Sequence, residues 1–225
     1  MSINSTRSSL HKIFRTMRDR YDVSAWWKLE SKLEIVWGAI LVQNTSWRNA
    51  SLALEGLAEA GIKTIGQINE LPAENLERVI KSSGFYRTKA ITIKGFSKLV
   101  TDLYSGDLDK FLERPVAHLR EELLSIKGIG EETADDIILY ASHKPVFVID
   151  KFTRRILGRY GIGLNTSKYS KWQEMFHSNL DHNASYFQDF HALLVKLGQD
   201  HCRTIPKCVR CCLKLDCKTG LKNCM

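Results

Sequence analysis

The sequence predicts an all-α protein, and three observations carry that expectation. Apolar residues recur at helical spacing through most of the chain, and no convincing run alternates with the period of a strand. Glycines and prolines interrupt the pattern often enough to divide it into about ten short helices. The first apolar face is Leu10, Ile13, Phe14 and Met17, and the second is Leu33, Val36, Trp37, Ile40 and Leu41. Gly61, Gly66, Pro72, Gly84, Gly106 and Pro115 mark the joints that follow, since glycine reaches backbone angles closed to other residues and proline offers no N–H. An amphipathic helix then ends at Leu123-Leu124-Ser125, two glycines intervene, and a further helix over Thr133 to Tyr140 carries Ile137, Ile138 and Tyr140 inward. Pro145 precedes Val146-Phe147-Val148-Ile149, a run of strand composition too isolated to pair. A helix from Lys151 to Arg159 stops before Gly161 and Gly163.

With 225 residues the chain suits one large domain or two small ones with a cleft between them. No linker of low complexity divides it and no fixed-period repeat appears, so two lobes would share a broad interface. Lys and Arg outnumber Asp and Glu by 33 to 25, an excess that suits a polyanionic partner and also occurs in proteins that bind none. The N-terminus lacks the apolar run of a signal peptide, and no stretch approaches the roughly 18 apolar residues of a membrane span. These features predict a soluble monomer, intracellular and either cytoplasmic or nucleoid-associated. All six cysteines lie between Cys202 and Cys224. A disulfide framework would spread them along the chain, so the clustering predicts a local metal or cluster site in a reducing compartment. The spacing Cys202-x5-Cys208-x2-Cys211-x5-Cys217 leaves Cys212 and Cys224 spare, and four clustered thiolates hold either a [4Fe–4S] cluster or structural zinc.

The densest stretch for chemistry runs from Ile126 to Asp150. In Ile126-Lys127-Gly128-Ile129-Gly130 two glycines flank one isoleucine, which permits a tight turn and close approach to a phosphate, and the helix opening with Glu131-Glu132-Thr133 aims unpaired N–H groups at the same anion. The same string also makes a plain αα-corner. Asp150 follows Gly130 by twenty residues, as an N-cap, a catalytic carboxylate or both. Glu131 and Glu132 complement the dipole of their helix. Trp26, Trp27 and Trp47 supply three of the five tryptophans, as core or as platforms for an unstacked base.

The hairpin, Asp150 and the cysteine loop together resemble the endonuclease III superfamily of helix-hairpin-helix DNA glycosylases, over most of residues 22 to 217. The resemblance implies a two-lobed helical fold in which a six-helix lobe, residues 22 to 135, carries the hairpin. The second lobe, residues 1 to 21 and 136 to 225, carries the four-cysteine cluster loop at 202 to 217. It implies double-stranded DNA containing a damaged base as partner, bound across the groove between the lobes. Asp150 becomes the catalytic residue, and Gly128 and Gly130 the phosphate grip; Lys127, where many relatives have proline, either adds a direct phosphate contact or is a solvated side chain. Gln43, in Gln43-Asn44-Thr45, resembles the residue that fills the space left by a flipped nucleotide. Phe85, in Gly84-Phe85-Tyr86, resembles the apolar wedge on the opposite strand. Cys202, Cys208, Cys211 and Cys217 would hold a [4Fe–4S] cluster, with Cys212 an alternative to Cys211, zinc an alternative metal, and Arg203 and Lys207 facing phosphates. The first gap here has five residues where the family usually has six.

One departure sets the expected chemistry. Members that also cleave the strand carry lysine at the second position after the last hairpin glycine, and this chain has Glu132. A carboxylate has no amine with which to form a Schiff base, so a monofunctional glycosylase is expected. Paired tryptophans with Glu132 resemble the 3-methyladenine DNA glycosylase III branch, and electron-rich indoles suit a cationic alkylated purine such as 3-methyladenine. The alternatives are a uracil or thymine mismatch glycosylase and a DNA-structure binding protein that has lost catalysis.

Overall fold

Helix starts follow from side chains that satisfy the first unpaired N–H groups. Ser31 accepts from Glu34 N, Ser46 from Asn49 N, Asp107 from Lys110 N and Asn183 from Tyr186 N, while Thr64 and Gln67 form a reciprocal capping box. A computed structural model describes residues 3–26, 29 and 31–224 of the chain. Among them there is no strand, as the sequence predicts. The chain forms two compact units, one comprising Met1–Trp26 and Pro145–Met225, the other Trp27–Lys144.

The continuous unit holds α2 (Lys32–Leu41), α3 (Trp47–Glu59), α4 (Ile65–Glu70), α5 (Ala73–Val79), α6 (Tyr86–Tyr104), α7 (Leu108–Glu113), α8 (Val116–Ser125) and α9 (Glu131–Asp136). A 3-10 turn at Lys81–Ser83 precedes α6, and α9 continues as a π turn over Ile137–Ala141. Val36, Trp37, Ile40 and Leu41 of α2 are buried against α6 and the π turn. Ile137, Ile138 and Leu139 are fully buried beside α2, which keeps the π turn in this unit, past the 135 that the resemblance implies.

The other unit holds α1 (Ile3–Arg18), α10 (Lys151–Tyr160), α11 (Tyr169–His177), α12 (Ala184–Asp200) and α13 (Lys218–Cys224). Leu10, Ile13, Phe14 and Met17 are buried, the face that the spacing predicts, and α1 packs on α12. Phe147 is the centre of an aromatic core: it stacks on Phe176 at 3.6 Å and meets Phe187 and Phe190 edge-on. The segment from Val146 to Ile149 is buried without pairing as a strand, so its backbone groups need side-chain partners. Phe147 N–H donates to His177 Nε2 at 3.0 Å, Ile149 N–H to the Tyr169 hydroxyl at 3.1 Å, and Gln173 Nε2 donates to the Phe147 carbonyl at 2.9 Å. All three partners lie on α11, which therefore holds the strand-like run in place up to Asp150.

Candidate active site and DNA-contact residues

Asp150 is the N-cap of α10 and is 6% exposed. Its Oδ1 accepts from Thr153 N–H at 2.7 Å, and its Oδ2 lies 4.0 Å from Nε2 of the buried His191. Burial pushes the His191 pKa down, against the upward pull of Asp150. The capping and catalytic readings of Asp150 are thus compatible, since one oxygen serves the helix and the other faces a second polar group. His191 has no counterpart among the residues singled out from the sequence, because a lone histidine within Phe190-His191-Ala192 carries no signal of what it meets in space.

The acceptor role of His177 has a pH consequence. Burial, with a smaller contribution from His182, lowers its pKa from 6.5 to about 4. The unfolded chain takes up a proton near pH 6.5 that the fold refuses until about pH 4, so this stabilisation is complete above pH 6.5 and is lost as pH falls toward 4. Urea unfolding across that window should show the loss in the wild type. His177→Gln, whose amide oxygen accepts the same N–H without titrating, should lack that component, and an unchanged slope in the variant would refute the assignment.

In the other unit the hairpin's two glycines differ. Gly128 has φ +96°, and a Cβ built there would lie 2.1 Å from Thr92 Oγ1, so both conformation and space require glycine. Gly130 has φ −99° and nothing within 4 Å of such a Cβ, so the turn itself does not demand it. Ile126 and Ile129 anchor the hairpin in the core, and Thr92 Oγ1 lies 3.0 Å from the Lys127 carbonyl while the Lys127 side chain is exposed. Arg120 holds the following helix through Asp135 at 2.9 Å and Glu131 at 3.1 Å. Glu132 stands exposed in the first turn of that helix.

Gln43 lies on the hairpin: its Nε2 donates to Gly128 O at 3.0 Å and to Thr133 Oγ1 at 2.8 Å. Phe85 is 71% exposed and holds φ +47°, a left-handed backbone that is uncommon for a residue with a Cβ, so it does not fold back into the core. Trp47 opens α3 and its ring approaches Gly38, where a Cβ would come within 3.3 Å of Cη2. Trp26 is half-buried in a turn closed by its N–H to Val23 O. Trp27 lies outside the described residues.

The cysteine loop is tied to α10. Arg159 donates to the carbonyls of Arg203 and Thr204 and lies 3.4 Å from Cys202 Sγ, while Arg155 Nε donates to Cys202 O at 2.7 Å. Burial and the neighbouring sulfurs of Cys202 and Cys211 raise the Cys217 thiol pKa, and Asn223 Nδ2 approaches Cys208 Sγ at 3.5 Å. Cys211 and Cys212 share a hydrogen bond that raises the first thiol and lowers the second. Among the described residues no three His, Cys, Asp or Glu side chains converge tightly enough to hold one metal ion. Arg203 and Lys207 are exposed, with Arg203 Nε donating to Gln199 O at 2.6 Å. No described helix is long and apolar enough to cross a membrane.

Comparison with known proteins is consistent with this geometry. The family model of the HhH-GPD superfamily base excision DNA repair proteins matches residues 37–181. A protein of Methanocaldococcus jannaschii, named provisionally as a DNA repair glycosylase, is 35% identical over 210 residues, which cover 92% of this chain and 95% of its own. Among solved structures, the 3-methyladenine DNA glycosylase MagIII of H. pylori, bound to 1,N6-ethenoadenine, is 25% identical with a TM-score of 0.73, covering 86% of this chain and 97% of its own. A trapped endonuclease III–DNA covalent intermediate shares the fold over the whole of both chains, with a TM-score of 0.81 at 20% identity.

Proposed function

Given that the chain belongs to the HhH-GPD superfamily of base excision DNA repair proteins, we propose that it is a monofunctional DNA glycosylase that hydrolyses the N-glycosidic bond of an alkylated purine such as 3-methyladenine. The observation that carries the reading is Glu132, a carboxylate in the first turn after the hairpin at the position where strand-cleaving members of the family have lysine.

Water adds to C1′ while the base leaves with the electrons of the C–N bond. Asp150 stabilises the positive charge that develops on the sugar and receives the water proton. A base alkylated at N3 is already cationic and departs neutral, so the reaction needs little help from an acid. Trp26, Trp27 and Trp47 would receive the extruded base on their indole faces, and Glu132 would complement its charge. Lys127 and the N–H groups at Gly128 and Gly130 would grip phosphate, Gln43 would fill the vacated stack and Phe85 would part the opposite strand. Support for the wedge is the exposure of Phe85; support for the plug is that Gln43 sits on the hairpin itself.

Cys202, Cys208, Cys211 and Cys217 would hold a [4Fe–4S] cluster, which supplies a structural cross-link for a loop with little apolar core of its own. The four thiols lie in one short loop, where Cys217 feels the sulfurs of Cys202 and Cys211 and Cys208 opens the 3-10 turn that leads to Cys211, so the cluster would have to draw them closer together. The spacing favours Cys211 over Cys212, since Cys211 keeps the two-residue and five-residue gaps together. Equivalent iron and acid-labile sulfide in brown purified protein is the expected result, and colourless protein containing zinc would refute the assignment.

Incubation with DNA carrying alkylated, deaminated or oxidised bases, followed by mass spectrometry of the released base, tests the substrate. Release of 3-methyladenine is expected; release of uracil or thymine alone would identify a mismatch glycosylase, and release of no base a binding protein. Borohydride should trap no covalent protein–DNA adduct during turnover, and efficient trapping would refute the monofunctional mechanism.

A further inference from the structure

Lys89 occupies the apolar stripe of α6 with Ile93, Phe96 and Val100, and is 2% exposed. A buried ammonium needs acceptors, and its Nζ donates to Leu41 O at 2.8 Å and to Ser83 O at 2.6 Å. Leu41 is the last residue of α2, so its carbonyl sits at the negative end of that helix, where a cation is favoured. Ser83 ends the 3-10 turn before Gly84, and the Lys89 backbone N–H donates to Phe85 O at 3.1 Å. One residue therefore holds the carbonyls on both sides of Gly84 and the end of α2. Gln43 stands two residues beyond Leu41, and Phe85 two residues beyond Ser83.

We infer that Lys89 is a positioning residue that couples the segment bearing Gln43 to the turn bearing Phe85, so that plug and wedge enter the duplex at a constant separation. The inference rests on the plug and wedge roles given to those two residues above. A charged buckle suits this task better than an apolar contact. The ammonium reaches two carbonyls on separate segments, and each bond to a charged donor is stronger than a neutral one. Burial lowers its pKa to about 8, which leaves it protonated at neutral pH. Nearby, Ser82 Oγ donates to Asn49 O of α3 at 3.2 Å, a bond made by an uncharged hydroxyl in an exposed position.

The test compares single-turnover base release from a lesion in an intact duplex with release from the same lesion in an unpaired bubble, where opening is already done and neither plug nor wedge is needed. Lys89→Met keeps the length and removes the donor. Its duplex rate should fall about tenfold or more while its bubble rate stays within about twofold, and adding Gln43→Ala to it should cost less than Gln43→Ala does alone. Equal losses on both substrates, or no loss on either, would overturn the inference. Should Lys89→Met fail to fold, Lys89→Gln carries the same comparison, because its amide keeps a donor on a shorter stem. A duplex rate lowered relative to the bubble rate supports the buckle, and an unchanged ratio overturns it. Gln43→Ala and Phe85→Ala separate the two layers of the argument. If both spare duplex release, the plug and wedge roles fall and the buckle with them; if they impair it and the Lys89 variants do not, only the buckle falls.

Discussion

Asp150→Asn is expected to lower base release by about 10² to 10⁴-fold, the range that a positioned acid–base group contributes, while leaving DNA affinity and thermal stability close to those of the wild type. The reason lies in the observed cap and the proposed catalytic role of this side chain. Its Oδ1 caps α10 through Thr153 N–H, and asparagine is as good a cap as aspartate, so the helix start survives the change. What asparagine cannot supply is the negative charge that stabilises a cationic sugar and the basicity that takes the water proton. Asp150→Ala removes both functions and should in addition cost about 1 kcal/mol of stability through the lost cap. Single-turnover release, fluorescence anisotropy with lesion DNA and thermal melting separate the cases. Were Asp150 only a cap, the asparagine variant would release base at the normal rate, and the mechanism proposed here would be wrong.

Gly128→Ala should have the second largest effect, on DNA binding and on folding together. The backbone at Gly128 holds φ +96°, where a side chain is strained, and the new Cβ would fall 2.1 Å from Thr92 Oγ1. Thr92 belongs to α6 and braces the hairpin from beneath at the Lys127 carbonyl, so it has little freedom to yield. A destabilisation of more than about 1 kcal/mol is expected. DNA affinity should weaken by about tenfold or more as the hairpin N–H groups lose their aim. Gly130→Ala is the informative control. With φ −99° and open space at its Cβ it should melt like the wild type, so a loss of affinity there would report direct approach of a phosphate to that glycine. Equal, wild-type behaviour of both variants would remove the hairpin from the DNA contact.

How much of this was readable in advance differs from element to element. Leu10, Ile13, Phe14 and Met17 announce α1 by spacing alone, because a helix that must bury one face leaves a 3.6-residue period in the chain. Asp150 was readable as an N-cap because capping depends on neighbours three residues away. Arg159 at the cysteine loop, Lys89 at the end of α2 and His177 behind Phe147 were not singled out, since each has a partner tens of residues off in sequence. Lys89 did carry a faint signal, a cation in register with Ile93 and Phe96 on the apolar face of a helix, where an unpaired charge is rarely tolerated.

The sequence by itself determined the helical class, the hairpin, the carboxylate that follows it and the clustered thiols, along with the glutamate at position 132 on which the proposed hydrolytic mechanism rests. These are local patterns, encoded in residues close enough along the chain to set each other's conformation. Only the tertiary structure decided which hairpin glycine is obligatory, where the units divide, that Gln43 rests on the Gly128 carbonyl, and that one buried lysine joins the segments bearing Gln43 and Phe85. Those outcomes depend on which distant groups the core brings within a few ångströms. Burial then makes the pairing compulsory, because a polar group withdrawn from water must find its partner inside the protein.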